Sequence, residues 1–208
     1  MEVKQFNKNT DMAMLPEFAH YRRFWMPQHE RYGVKVVAGD FYVSTQDELI
    51  TTVLGSCVSA CIRDPKNGVG GINHFLLPDA DCDLLSASNR YGVFAMEQLI
   101  NAIIKHGGRR ENFEVKLVGG GNMIAGSNDI GQSNIEFVKN FLRTEGYRVV
   151  AEDLGGIYPR KILYNITSGK LLVNKLKNQH QDSLAQQELA QQRSRMVETV
   201  DDDVELFD

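Results

Sequence analysis

The residues whose types and spacing suit chemistry are Cys57, which directly follows a Gly-Ser pair, and His74, which lies across one hairpin from it. A thiolate is the nucleophile of cysteine chemistry, and a neighbouring imidazole takes the thiol proton and stabilises the charge separation. Gly55-Ser56 permits a sharp turn whose backbone N–H groups sit beside the sulfur, the layout of an oxyanion hole. A third group must orient the ring. Thr51 and Thr52, on the preceding strand, both carry a suitable hydroxyl, and strand alternation lets only one of them face the site. The plain alternative is a small buried cysteine, a satisfied sheet histidine and two strand-forming threonines.

For the chemistry to occur, Cys57 and His74 must share a face of the hairpin. Cys57-Val58-Ser59-Ala60-Cys61-Ile62 alternates as a strand, Asp64-Pro65-Lys66-Asn67-Gly68 is turn chemistry, and residues 69–77 return. With 65–68 as the loop, Asp64 faces Val69 and Ser59 faces His74, which makes Cys57 a diagonal neighbour of His74 at about 7 to 8 Å between Cα atoms. With Asn67-Gly68 alone as the loop, Cys61 faces His74. Either even loop keeps Cys57 and His74 on one face, and an odd loop separates them.

The elements that must hold this hairpin read as follows. Residues 1 to about 32 are polar and irregular. Short strands follow around Val34-Val36, 41–43 and 48–54. A helix over about 90–106, with Val93, Met96, Ile100, Ile103 and Ile104 at helical spacing, stops at Gly107-Gly108. A strand over 113–118 runs into Gly119-Gly120-Gly121-Asn122, where Asn122 is placed to bond a substrate amide at the rim of the site. A second helix begins near Ser133 or Asn134, a strand covers 147–151, and 161–166 with 170–176 closes as a hairpin. Hairpins dominate, so the expected fold class is α/β of the α+β kind: mixed, largely antiparallel sheets with two packed helices in a single layered domain. The expected division is an N-terminal extension over 1–33, the domain over 34–176, and a polar, glutamine-rich tail over 177–208 that stays outside the core.

The chain has 208 residues, 42% hydrophobic and 24% charged, with a formal net charge of -4 and a pI of about 5.8. Such a chain buries an ordinary core and lacks the positive field that collects nucleic acid. No apolar run approaches the roughly 18 residues of a membrane span, and the N-terminus has no signal-peptide pattern, so membrane insertion is not expected and a cytoplasmic location is. Three cysteines, Cys57, Cys61 and Cys82, do not make a disulfide framework, and no partner set completes a metal site. The glycine run at 119–121 lacks the Lys-Ser/Thr of a phosphate loop. The aromatic and basic cluster from Tyr21 to Trp25 reads as packing of the extension. Glu152-Asp153 reads as a turn at a strand end.

Thr51-Thr52-Val53-Leu54-Gly55-Ser56-Cys57-Val58, then Gly70-Gly71-Ile72-Asn73-His74-Phe75-Leu76-Leu77-Pro78, resembles the signature of the bacterial chemoreceptor glutamine deamidase family, CheD. Val118-Gly119-Gly120-Gly121-Asn122, Ala151-Glu152-Asp153-Leu154-Gly155-Gly156 and Arg160-Lys161 fit in order, so the resemblance covers about 34–176. It implies a cysteine amidohydrolase that turns particular glutamines of methyl-accepting chemotaxis receptors into glutamate and needs no cofactor. It also implies a Cys-His-Thr set, which falls on Cys57, His74 and, by the six-residue spacing to the cysteine, Thr51 in preference to Thr52. In some bacteria the family binds a partner phosphatase, CheC. Hydrolysis of a methyl ester by the same thioester chemistry is a secondary activity worth testing. The competing function class is a catalytically idle adaptor that binds receptors or such a phosphatase.

Overall fold

The computed structural model describes residues 14–77, 85–122 and 130–176, with the backbone alone for 85–89. In chain order the strands are β1 (Arg23–Met26), β2 (Arg31–Lys35), β3 (Phe41–Ser44), β4 (Leu49–Leu54), β5 (Val58–Asp64), β6 (Val69–Asn73), β7 (Glu114–Gly119), β8 (Val149–Leu154), β9 (Arg160–Asn165) and β10 (Leu171–Lys175). Helix α1 (Leu85–Lys105) precedes β7 and α2 (Ile130–Thr144) precedes β8. The first sheet has the order β1-β2-β4-β9-β10 and the second β3-β6-β5-β7-β8. Each is antiparallel except for one parallel pair, β2 with β4 and β7 with β8. The α+β expectation holds: the described residues form two mixed sheets and two α-helices.

Strand β5 explains the layering. Six of its seven residues are buried, so both of its faces are covered. Both helices pack on the second sheet, through buried Met96, Leu99, Ile100 and Ile103 of α1 and Ile135, Val138 and Leu142 of α2. Its other face meets the first sheet. Ile50, Thr52 and Leu54 of β4 and Ile162 and Tyr164 of β9 point into that seam.

The N-terminal stretch read as irregular is partly built into the fold. Residues 23–26 and 31–35 form a hairpin on the edge of the first sheet, with Arg23 opposite Val34. Phe18 is buried against the rings of Phe41 and Tyr42. Buried Glu48 accepts from the Tyr42 hydroxyl at 2.7 Å and pairs with Arg23 Nε at 3.0 Å, tying the edge hairpin to both sheets. Burial and the Glu48 carboxylate both push the Tyr42 hydroxyl pKa upward. The Tyr21 to Trp25 cluster therefore contributes β1, and its Trp25 ring packs edge-on against Tyr32 at 5.2 Å. Both helices start earlier than their apolar spacing indicates, at Leu85 and Ile130. The tail over 177–208 and Cys82 lie outside the described residues.

The β5–β6 hairpin takes the four-residue loop: Asp64 faces Val69 and Cys61 faces Ile72. The Asp64 carboxylate fixes that loop, accepting from Lys66 N–H at 2.9 Å, Asn67 N–H at 3.0 Å and Asn67 Nδ2 at 2.6 Å. It also reaches across to Arg109 N–H at 2.9 Å and Asn112 Nδ2 at 3.2 Å. Desolvation raises its pKa, but these donors outweigh it and bring it from 3.8 down to about 2. The sign follows from that depression: the carboxylate stabilises the fold above its unfolded pKa, and the contribution is lost as pH falls from 3.8 toward 2. Asp64→Ala strands several donors, so we expect a loss of about 2 kcal/mol near neutral pH. Thermal melts across pH should show the gap between wild type and variant closing on acidification; a gap independent of pH rejects this role.

Candidate active site

Residues 55–57 carry the chain from β4 of the first sheet to β5 of the second. Three donors hold the turn by its carbonyls. Gly121 N–H reaches Gly55 O at 2.7 Å, Asn134 Nδ2 reaches Ser56 O at 3.1 Å, and Gly120 N–H reaches Cys57 O at 2.7 Å. In a planar trans peptide the C=O and the following N–H point oppositely. Fixing the carbonyls toward β7 and α2 therefore turns the Ser56 and Cys57 N–H groups to the other side, as an oxyanion site at this turn requires. The glycines make the close approach possible: Gly119 and Gly120 have φ of 120° and 66°, and a Cβ at Gly121 would stand 3.1 Å from Gly55 O.

His74 is placed by the neighbouring ladder. Val58 and Phe75 pair through both backbone bonds, Val58 N–H to Phe75 O at 3.1 Å and Phe75 N–H to Val58 O at 3.0 Å. Cys57 and His74 each precede one member of that pair, so they are diagonal neighbours on the face opposite Val58 and Phe75. Phe75 points to the helices, with its ring 5.9 Å from that of Phe137, and His74 points to the seam between the sheets. Its backbone is clamped by the turn before β3: Gly39 N–H donates to His74 O at 2.7 Å and His74 N–H to Asp40 O at 2.9 Å. Cys57 is fully buried and His74 nearly so, at 5%.

The hydroxyl on the imidazole belongs to Thr52, not Thr51. Thr52 Oγ1 lies 2.8 Å from His74 Nδ1, whereas Thr51 donates to Ile162 O at 2.7 Å. The reason is parity: Ile50, Thr52 and Leu54 face the seam, and Leu49, Thr51 and Val53 lie on the opposite face of the sheet, where Leu49 and Thr51 are still buried. Asn122 lies at the end of the glycine run after β7. It is exposed, and its backbone N–H bonds Gly156 O at 2.7 Å, bracing the glycine turn against the loop after β8. That loop is held in turn by buried Arg160, which pairs with Asp153 at 3.0 Å and donates to the carbonyls of Gly155 and Tyr158. Glu152 and Asp153 thus lie within β8, and each pairs with a cation: Glu152 with Lys139 at 2.9 Å and Asp153 with Arg160.

Two asparagines carry placement that the sequence reading missed. Asn73 Oδ1 accepts the Ala60 N–H at 2.8 Å where a ladder bond to backbone would stand, so β6 ends there and His74 leaves the ladder. Asn134 spans Ser56 and Leu77. Its signal was present: it shares the apolar stripe of α2 with Val138 and Leu142 at helical spacing, where an amide needs partners. Cys61, by contrast, is fully buried in β5, and burial pushes its thiol pKa up to about 12. Among the described residues no group of three His, Cys, Asp or Glu side chains is arranged to hold a metal, and no helix is long and apolar enough to cross a membrane.

The family model for CheD chemotactic sensory transduction matches residues 76–175. A protein of Hahella chejuensis named probable chemoreceptor glutamine deamidase CheD is 46% identical over 197 residues, covering 93% of each chain. The chain belongs to the CheD family. CheD proteins with the same printed name in Halorhodospira halophila and Janthinobacterium sp. are 46% and 49% identical, covering 93% and 86% of this chain and 93% and 90% of their own. A solved Neisseria meningitidis structure overlaps loosely, with TM-score 0.35 and 12% identity over 56% of this chain and 52% of that one.

Proposed function

We propose that this CheD-family chain deamidates specific glutamine side chains of methyl-accepting chemotaxis receptors, with Cys57 as nucleophile, His74 as acid and base, and Thr52 orienting the ring. The observation that carries the reading is the Thr52–His74 bond at 2.8 Å on the face shared with Cys57. With Nδ1–H donating to Thr52 Oγ1, Nε2 holds the lone pair that takes the Cys57 proton. The thiolate attacks the carboxamide carbon, a C–S bond forms, and the C=O pair moves onto oxygen, where the 55–57 turn offers N–H donors. Collapse expels the amide nitrogen, protonated by the imidazolium, as ammonia. Water, deprotonated by the same ring, then attacks the thioester carbon; the C–S bond breaks, the thiolate returns and glutamate remains. The route draws on protein groups alone. A methyl ester would leave as methanol by the same steps.

The test is ammonia release with purified receptor signalling fragments, together with mass spectrometry of the receptor peptides to locate new glutamates. Catalytic release confined to particular glutamines is expected; binding to receptor with no release overturns the reading in favour of an adaptor. The resemblance further implies binding of a CheC-type phosphatase, which we propose be tested by co-elution of the two purified proteins. Thiolate character controls alkylation, so Cys57 should react with iodoacetamide in the native protein well ahead of Cys61, whose pKa lies near 12. Equal labelling of the two argues against an activated Cys57.

A further inference from the structure

The Asn134 side chain is fully buried on the face of α2 that packs against β5, and both ends of its amide are engaged. Nδ2 donates to Ser56 O at 3.1 Å and to Ile130 O at 2.9 Å, and Oδ1 accepts from Leu77 N–H at 2.8 Å. The bond to Ile130 lies within the helix; the other two reach the two chain segments that carry the site. Ser56 O and the Cys57 N–H are opposite ends of one planar peptide unit. A donor on that carbonyl fixes the plane and polarises it, which strengthens the N–H as a donor on the far side. Leu77 N–H is three residues beyond His74, so the same amide also fixes the segment that leads away from the imidazole.

We infer that Asn134 is a positioning residue for the deamidation, setting the orientation and donor strength of the Cys57 N–H toward the developing oxyanion while anchoring the segment after His74. The inference rests on the assignment of Cys57 as nucleophile. Asn134 acts through the Ser56–Cys57 peptide. Gly121 and Gly120 hold the two flanking peptides by backbone N–H groups, and Asn134 holds the middle one by a side chain, which a substitution can change.

Two variants separate the contributions. Asn134→Asp keeps the size and the acceptor for Leu77 N–H, but as a carboxylate it has no donor for Ser56 O; Asn134→Ala removes both bonds. For folded Asn134→Asp we expect kcat on receptor to fall about 10- to 100-fold, with KM within about 2-fold. Iodoacetamide labelling of Cys57 should stay within about 2-fold of wild type, because alkylation forms no oxyanion. The kcat ratio of variant to wild type should recover as pH is lowered and the buried carboxyl takes up a proton, which restores a donor. Unchanged kcat in the folded Ala variant, or in the folded Asp variant across the whole pH range, overturns the inference. So does a parallel fall of kcat and labelling, or the unfolding of both variants by circular dichroism, which would make Asn134 a determinant of the fold alone. Wild type and Cys57→Ala run alongside: ammonia release absent from the first, or retained by the second, sinks the nucleophile assignment itself.

Discussion

Cys57→Ala abolishes ammonia release from receptor, with a fall in kcat of at least about 10³-fold, while the folded structure persists. The thiol is fully buried, so its removal leaves only a small cavity, a change of about 1 kcal/mol, and far-UV spectra and receptor binding stay as in wild type. Cys61→Ala, in β5 just beyond the turn and equally buried, retains kcat, because burial holds the thiol protonated with a pKa near 12 and it stands outside the 55–57 turn. The pair of variants is the control: both remove a buried sulfur, and only one removes the proposed nucleophile. Activity in Cys57→Ala at more than a few per cent of wild type rejects the assignment.

Thr52→Val lowers kcat about 10- to 100-fold with KM nearly unchanged, because a ring without its Nδ1 partner loses tautomer and orientation in the transition state more than in the ground state. Valine matches the shape of threonine, so the core is filled and the lost hydroxyl is isolated. Thr52→Ser restores most of the rate. Thr51→Val keeps kcat within about 3-fold and loses about 1 kcal/mol of stability, since its hydroxyl serves Ile162 O across the first sheet. The reverse ranking of the two valine variants in steady-state kinetics would return the orienting role to Thr51.

The ranking also marks where sequence reasoning runs out. The hairpin was legible because Asp64, Asn67 and Gly68 specify its loop, and the loop length sets the face shared by Cys57 and His74. The choice between the threonines was not. Strand β4 is apolar on both faces, Ile50 and Leu54 inward and Leu49 and Val53 outward, so its alternation carries no asymmetry to say which hydroxyl looks at the site. The β1–β2 hairpin escaped notice because its turn, at Pro27-Gln28-His29-Glu30, lacks glycine; Glu30 itself takes the positive φ of 49°. Asn122 was read from its place beside three glycines, yet it is the glycine backbone that reaches the nucleophile turn.

The site draws Thr52 from one sheet and Cys57 and His74 from the other, and the 55–57 turn is the crossing between them. Neither sheet alone contains a competent set. Activity is therefore expected to require docking of the layers: a chain with its secondary structure formed but its sheets apart holds an imidazole without its tether and a turn without its seam. In a denaturant series, ammonia release should disappear with near-ultraviolet signals of tertiary packing rather than with helix content.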